Sequence, residues 1–250
     1  MKRSPLNTGR RLVISVPFLW LMLFFLLPFA IVLKISFAEA DVAIPPYTDI
    51  FAYADQQLQV LINLGNYIFL SEDELYLAAY LGSLKIAFFS TLLCLVIGYP
   101  MAYAIARARK DLQTVLLLLI MMPTWTAILI RVYAWMGILS SNGILNGLLQ
   151  GLGLIDAPLQ ILNTDAAVYI GVVYSYLPFM ILPLYANLVK HDPSLLEAAS
   201  DLGARNLSSF WKITVPLSKN GIIAGCMLVF IPVVGEFVIP ELLGGPETLM

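Results

Sequence analysis

"SLLEAASDLGARNLSSFWKITVP", residues 194–216, holds two acids, two bases and a glycine in a chain that is 60% hydrophobic and only 12% charged. Its local signals are those of two short helices. Ser194, followed three residues later by Glu197, has the spacing of a capping box, and Pro193 opposes helical continuation from the apolar run before it. Gly203 supplies a left-handed residue to end a helix over about 195–202. Asn206 is placed to cap a second helix over about 207–214, which Pro216 helps to close. A short polar helix–turn–helix is therefore expected between apolar segments.

The flanks explain the contrast. A soluble domain carries about 25% charged residues, roughly twice the share here. A bilayer core takes about 20 apolar residues of helix, and residues 12–33 supply such a run without one charge. Further runs lie near 79–106, where Lys85 is the one charge, and near 112–130, 166–189 and 221–240. Pro17, Pro28, Pro100, Pro123, Pro178, Pro183 and Pro232 fall inside them, which membrane helices tolerate because neighbours satisfy the freed carbonyls. Ala38-Glu39-Ala40 resembles a signal-cleavage site, but the first apolar core is longer than a signal h-region, so a retained helix is expected. Cys94 and Cys226 sit in apolar runs without metal spacing. The sequence shows no phosphate-binding glycine loop and no nucleophile motif, and a lone His191 makes no histidine-rich metal site. The sequence points to a non-enzyme without a cofactor of its own or a metal site.

Charge sets an expected orientation. Eleven of the 14 bases fall at the N-terminus (Lys2, Arg3, Arg10, Arg11), at Arg107, Arg109 and Lys110, and at Lys190, Arg205, Lys212 and Lys219. Between Lys34 and Lys85 there are seven acids and no base: Glu39, Asp41, Asp49, Asp55, Glu72, Asp73 and Glu74. The expected arrangement is an all-α polytopic membrane protein with a cytoplasmic N-terminus (1–11) and spans over 12–37, 79–106, 112–138, 166–189 and 220–240. Cytoplasmic loops fall at 107–111 and 190–219, and periplasmic segments at 38–78, 139–165 and 241–250. The stretch 66–80 is expected to form an interfacial helix. The end, "ELLGGPETLM" (241–250), is expected to precede a sixth span that returns the C-terminus inside.

The pattern Glu197-Ala198-Ala199, Gly203 four residues on, then Ile213, Pro216 and Leu217, resembles the EAA loop of ABC importer permeases. In that family the short helix couples the permease to a cytoplasmic ATPase. "GYPMAYAIAR" (98–107), "PTWTAILIRVYAWMGIL" (123–139), "NGILN" (142–146), "YSYLPFMILPLY" (174–185) and "VGEFVIPELLGG" (234–245) are similar to the polyamine branch, nearest the PotH-type permeases of putrescine importers. The resemblance implies the type I permease fold with six spans, five of them visible here, in a bacterial inner membrane. It also implies a second permease subunit, two ATPase subunits that bind ATP and Mg, a periplasmic polyamine-binding protein, membrane lipid around the spans and no nucleic acid. ATPase coupling then falls to Glu197, Ala198, Ala199, Asp201 and Gly203.

An acid inside an apolar span is expensive and usually faces a cavity or partner. Glu236 is such an acid, and a contact to a passing ammonium is weighed against pairing with Arg131 or Lys85 and against a position high enough to reach water. Glu241 is a weaker candidate nearer the outer surface. Trp125, Tyr133, Trp135, Tyr174 and Tyr176 offer cation–π faces, against the ordinary aromatic belt of membrane proteins. Arg131 is expected in a structural ion pair. Two rival readings stay open: an ABC permease for an amino acid, sugar or oxyanion, and a membrane scaffold without transport.

Overall fold

Prolines set where the helices widen and stop. The computed structural model describes residues 6–39, 41, 44, 46–48, 51–54, 57–60, 62–245 and 248. Lys2, Arg3, Ala40, Asp49, Asp55, Pro246 and Glu247 lie outside the described residues. The chain divides into two compact units, 1–77 and 78–250.

In the first unit α1 (Leu6–Leu21) passes through Pro17 into a π-helical turn, Met22–Leu26, and continues as α2 (Leu27–Ser36) with Pro28 in its first turn. A proline ring collides with the carbonyl four residues back, and a widened turn just before it makes room. A two-stranded hairpin follows, β1 (Phe51–Ala54) antiparallel to β2 (Gln57–Val60), with Phe51 opposite Val60. It is a small addition to the otherwise helical architecture. In α3 (Gly65–Glu72), the Asn66 amide donates to the Ser36 and Ala38 carbonyls, and the Tyr67 and Ser36 hydroxyls meet at 2.8 Å. Helix does not run unbroken over 66–80. It stops at Asp73, whose carboxylate accepts the Leu75 N–H at 2.9 Å and starts the next helix.

The second unit holds most of α4 (Glu74–Arg107), then α5 (Lys110–Met121), a 3-10 turn (Met122–Trp125), α6 (Ile128–Leu139), α7 (Ile144–Gly151) and α8 (Asp165–Leu188). After these come α9 (Ser194–Asp201), α10 (Asn206–Ser209), a second π-helical turn (Phe210–Thr214), α11 (Val215–Leu217), α12 (Lys219–Val234) and α13 (Val238–Leu243). α8 packs against α5, α6, α12 and α13, and its Val168, Val172, Met180, Ile181 and Leu184 are fully buried.

Small residues let α12 approach α8. A Cβ on Gly221 would lie 2.8 Å from the Asn187 Cβ, and one on Gly225 would lie 2.8 Å from the Met180 sulfur. Lipid tails are as apolar as side chains, so helices in a membrane associate through close packing at such positions.

Length and composition fit membrane crossing for Val13–Ser36, Glu74–Arg107, Ile128–Gly151 and Asp165–Leu188. A fifth joins them if Asn206–Leu217 and Lys219–Val234, bent by 65°, form one span. These stretches do not coincide with the expected runs at two places. The run 112–138 is divided by the 3-10 turn and extended Thr126 and Ala127, and the run 220–240 is divided after Val234.

Candidate coupling and cargo sites

α9 is closed by its own neighbours. The Ser194 N–H donates to the Asp192 carboxylate at 3.0 Å, which holds the Asp192 carboxyl below its usual range. The cap position falls on Pro193, which has no polar side chain to offer, so the side-chain bond that starts α9 comes from Asp192 and not from Ser194. An acceptor two residues before the first helical N–H forms an Asx turn, a rival to the capping box in the same short sequence. At the other end Gly203 has φ +78°, and the Ala204 N–H reaches back to the Ala199 carbonyl at 2.9 Å. That is the Schellman closure, for which glycine is best suited.

Glu197, Ala198, Asp201 and Gly203 are exposed, whereas Ala199 is buried, with Leu196 half-buried on the same side. The two alanines thus face different ways. Leu195, Ala198 and Leu202 have i, i+3, i+7 spacing and form an exposed apolar stripe that ends at Leu202, 88% exposed. That spacing is visible in the sequence, but the acids and small residues drew attention away from it.

Asn206 makes no capping bond, because Arg205 occupies the cap position in extended backbone. The helix passes Pro216 after a π-helical turn, as it does before Pro28, and closes at Ser218. Ser218 is fully buried, and its hydroxyl meets that of Tyr99 on α4 at 2.8 Å. His191 braces the same corner: its Nε2 lies 3.1 Å from the Asn187 Oδ1, and the ring stands against the Leu217 backbone carbonyl. Burial lowers the His191 pKa, and the charge of Arg107 pushes in the same direction.

The second site is a break in helix. α12 stops at Val234, Gly235 turns the chain, and α13 begins at Val238. Glu236 stands in the gap rather than within a helix. Its Oε2 accepts the Tyr176 hydroxyl at 2.6 Å, and its Oε1 accepts the N–H groups of Val238 at 3.1 Å and Ile239 at 3.4 Å. The carboxylate therefore caps α13 and ties it to α8. A carboxylate offers about four lone-pair sites, so these three bonds leave room for one further donor.

Among the described residues no ion pair joins Glu236 to Arg131 or Lys85; a described pair is Arg109–Asp111, exposed, at 3.9 Å. The ion pair expected for Arg131 is not there. Its Nε and Nη1 are buried without an acceptor among the described residues. The Glu236 oxygens are engaged instead by the Tyr176 hydroxyl and by the Val238 and Ile239 N–H groups at the helix break.

The aromatic candidates separate. Trp135 and Tyr174 meet edge to face, with centroids 5.2 Å apart, and line a groove of about 340 Å³ with Leu93, Ile97 and Tyr169. Trp125, Tyr133 and Glu241 are exposed and make no side-chain hydrogen bond or ring contact among the described residues.

Residues 94–250 match the family of binding-protein-dependent transport system inner membrane components. The chain belongs to this family of ABC transporter permeases: it is a multi-pass inner-membrane transport subunit, non-catalytic, in a family without cofactors. It is 40% identical over 244 residues to the spermidine/putrescine transport system permease protein PotB of Haemophilus influenzae, covering 98% of this chain and 81% of that one. The PotB protein of Escherichia coli K12 is 42% identical over 231 residues, covering 92% and 79%. A crystal structure of a bacterial ABC transporter involved in the import of the acidic polysaccharide alginate superposes with a TM-score of 0.68 at 18% identity, over 97% of this chain and 81% of that one. That likeness confirms the permease fold.

Proposed function

We propose that this chain is a permease subunit of an ATP-driven polyamine importer, with putrescine as its main cargo. It supplies half of the translocation pathway beside a second permease subunit. A binding protein delivers the cargo on the outer side, and two cytoplasmic ATPase subunits drive the cycle. The N-terminus and the 190–219 loop lie in the cytoplasm, where the excess of Lys and Arg places them. The names of the PotB relatives support the polyamine class.

The observation that carries the cation reading is Glu236. A carboxylate sits at a break in apolar helix, fixed by a tyrosine hydroxyl and two backbone N–H groups, with one acceptor position left. Irregular backbone within a membrane segment is tolerated where it lines a cavity or meets protein. An oxyanion path would favour bases and helix N-termini instead, and here a carboxylate occupies the start of α13.

Coupling uses the exposed face of α9: Glu197, Ala198, Asp201 and the Leu195–Leu202 stripe meet the ATPase, and Gly203 keeps the helix end in shape. Ala199 seats the helix on its own chain. Movement of α9 reaches the pathway through the corner at Leu217–Ser218, which leads into α12 and then to Glu236. ATPase and uptake assays of the reconstituted complex with Glu197→Ala and with Gly203→Val test this. Coupling predicts ATP hydrolysis without matching uptake, or loss of both. Wild-type cargo-stimulated uptake in both variants contradicts it.

A further inference from the structure

We propose that the groove between α4 and α12 holds the acyl chain of an anionic phospholipid from the leaflet beside the 190–219 loop, with Lys212 and Lys219 meeting its headgroup. Such a site holds lipid whatever the cargo of the importer.

Two cavities run along the same pair of helices. One, of about 370 Å³, lies between Phe88, Thr91 and Leu95 of α4 and Cys226, Phe230 and Ile231 of α12. The other, of about 340 Å³, shares Leu95 and continues past Tyr99 and Pro100 of α4 to Ile222 of α12 and Trp211 of the π-helical turn. From Phe88 to Pro100 the helix rises about 18 Å, close to the half-thickness of a bilayer core, roughly 15 Å, that one acyl chain fills. The hydroxyls in the lining are spent inside the chain: Thr91 donates to the Ala87 carbonyl at 2.7 Å, and Tyr99 meets Ser218 at 2.8 Å. The lips, at Phe88, Val96, Trp211 and Ile231, are exposed. A floor without a free side-chain oxygen suits a hydrocarbon chain, which asks for no hydrogen bond.

One end of this track is basic. Lys219 opens α12 three residues before Ile222 and seven before Cys226, so helical spacing puts it on the face that lines the groove. Lys212 follows Trp211 in the π-helical turn, and both lysines are exposed. No acid occurs in the sequence between Asp201 and Glu236, or between Glu74 and Asp111, and neither lysine forms an ion pair among the described residues. An anionic phospholipid brings the missing counter-charge and the apolar chain in one molecule. Trp211 lines the groove beside Lys212 in sequence, 62% exposed and without a side-chain hydrogen bond among the described residues. An indole with an apolar body and a free N–H is suited to the boundary between acyl chain and headgroup.

The test is quenching of Trp211 fluorescence by brominated phospholipids in proteoliposomes of the assembled importer. The Trp211 signal is the difference between the native complex and its Trp211→Phe variant. Each lysine at a membrane surface favours an anionic lipid about fivefold, so brominated phosphatidylglycerol reaches half-quenching at a mole fraction about tenfold or more below that of brominated phosphatidylcholine. Lys212→Gln combined with Lys219→Gln brings the two lipids level. Equal quenching by both lipids in the native complex overturns the proposal, as does a preference that survives the double substitution. Absence of quenching by either lipid also overturns it, because the groove is then covered by protein, as by a second permease subunit. If the double variant fails to assemble, the single substitutions decide: a several-fold drop in preference in either supports the site, and an unchanged preference in both overturns it. If the Trp211→Phe complex fails to assemble, retained lipid is counted by native mass spectrometry: phosphatidylglycerol kept by the native complex and lost with both glutamines supports the site, and equal retention overturns it. Quenching needs no cargo, so a mistaken cargo leaves the result unaffected.

Discussion

The polar loop at 190–219 and the break at 235–237 both interrupt apolar helix, and they are built in opposite ways. Within the loop, α9 is closed by bonds between near neighbours, Asp192 to Ser194 at its start and Ala204 to Ala199 around a left-handed Gly203 at its end, and only the far corner of the loop, at Ser218, is tied to another helix. The break joins two local bonds, from the Val238 and Ile239 N–H groups to Glu236, to a long-range one, between Tyr176 and Glu236, sixty residues apart in sequence. A locally closed element keeps its shape while its surroundings move, as a lever must. An element closed across two helices changes shape when either moves, as a gate on a pathway must.

The largest expected effect falls on the gate. A hydrogen bond to a charged group is worth roughly 1.5–3 kcal/mol, and Glu236→Ala removes three together with the acid proposed to meet the cargo. Uptake should fall about 30-fold or more. Tyr176→Phe removes only the tie to α8 and should lower uptake about tenfold, with Glu236 still capping α13. Equal losses from the two would show that the tyrosine matters for more than this tie.

On the lever the effects are smaller. A non-glycine residue in the left-handed region is strained by roughly 1–2 kcal/mol, so Gly203→Val should loosen the end of α9 and reduce cargo-stimulated ATP hydrolysis several-fold. Hydrogen exchange at Leu202 and Ala204 would show the loosening directly. Asp192→Ala should fray the start of α9, read as faster exchange at Ser194 and Leu195, without touching the Glu236 break.

The smallest effect is a pH dependence. His191 has a lowered pKa in the folded chain, so the unfolded corner binds the extra proton more readily, and stability falls as pH drops through about 6.5, the unperturbed value. Arg107 and Asp192 are the charged residues that flank His191 in a small cavity. Exchange protection near Leu217 should weaken between pH 7.5 and 5.5, and His191→Gln should flatten the profile.

The same contrast governs what the sequence disclosed. The end of α9 was legible because Gly203 announces itself within a few residues. Its start was misjudged because Asp192 and Ser194 both offer oxygen to nearby N–H groups, and only the backbone angle at Pro193 decides between them. Glu236 stood out as an acid in an apolar run. That it occupies a helix break was hidden, since Gly235 is one glycine among several that the helices tolerate. Tyr176 entered as one of five aromatics with equal claims, and only its long-range bond sets it apart. The missing partner of Arg131 was illegible for the same reason, because pairing across helices depends on packing angles that no local spacing records.

The central claim is that Glu236 takes a cationic cargo through this permease. Competitive uptake tests it most directly: labelled putrescine supplied to proteoliposomes of the assembled importer, with spermidine, a neutral sugar, a neutral amino acid and an oxyanion as competitors, for the native chain and for Glu236→Gln. The account predicts that spermidine competes, that the neutral and anionic solutes do not, and that uptake collapses in Glu236→Gln while the complex still assembles. Undiminished putrescine uptake in an assembled Glu236→Gln importer, or equal competition by an oxyanion, would contradict it.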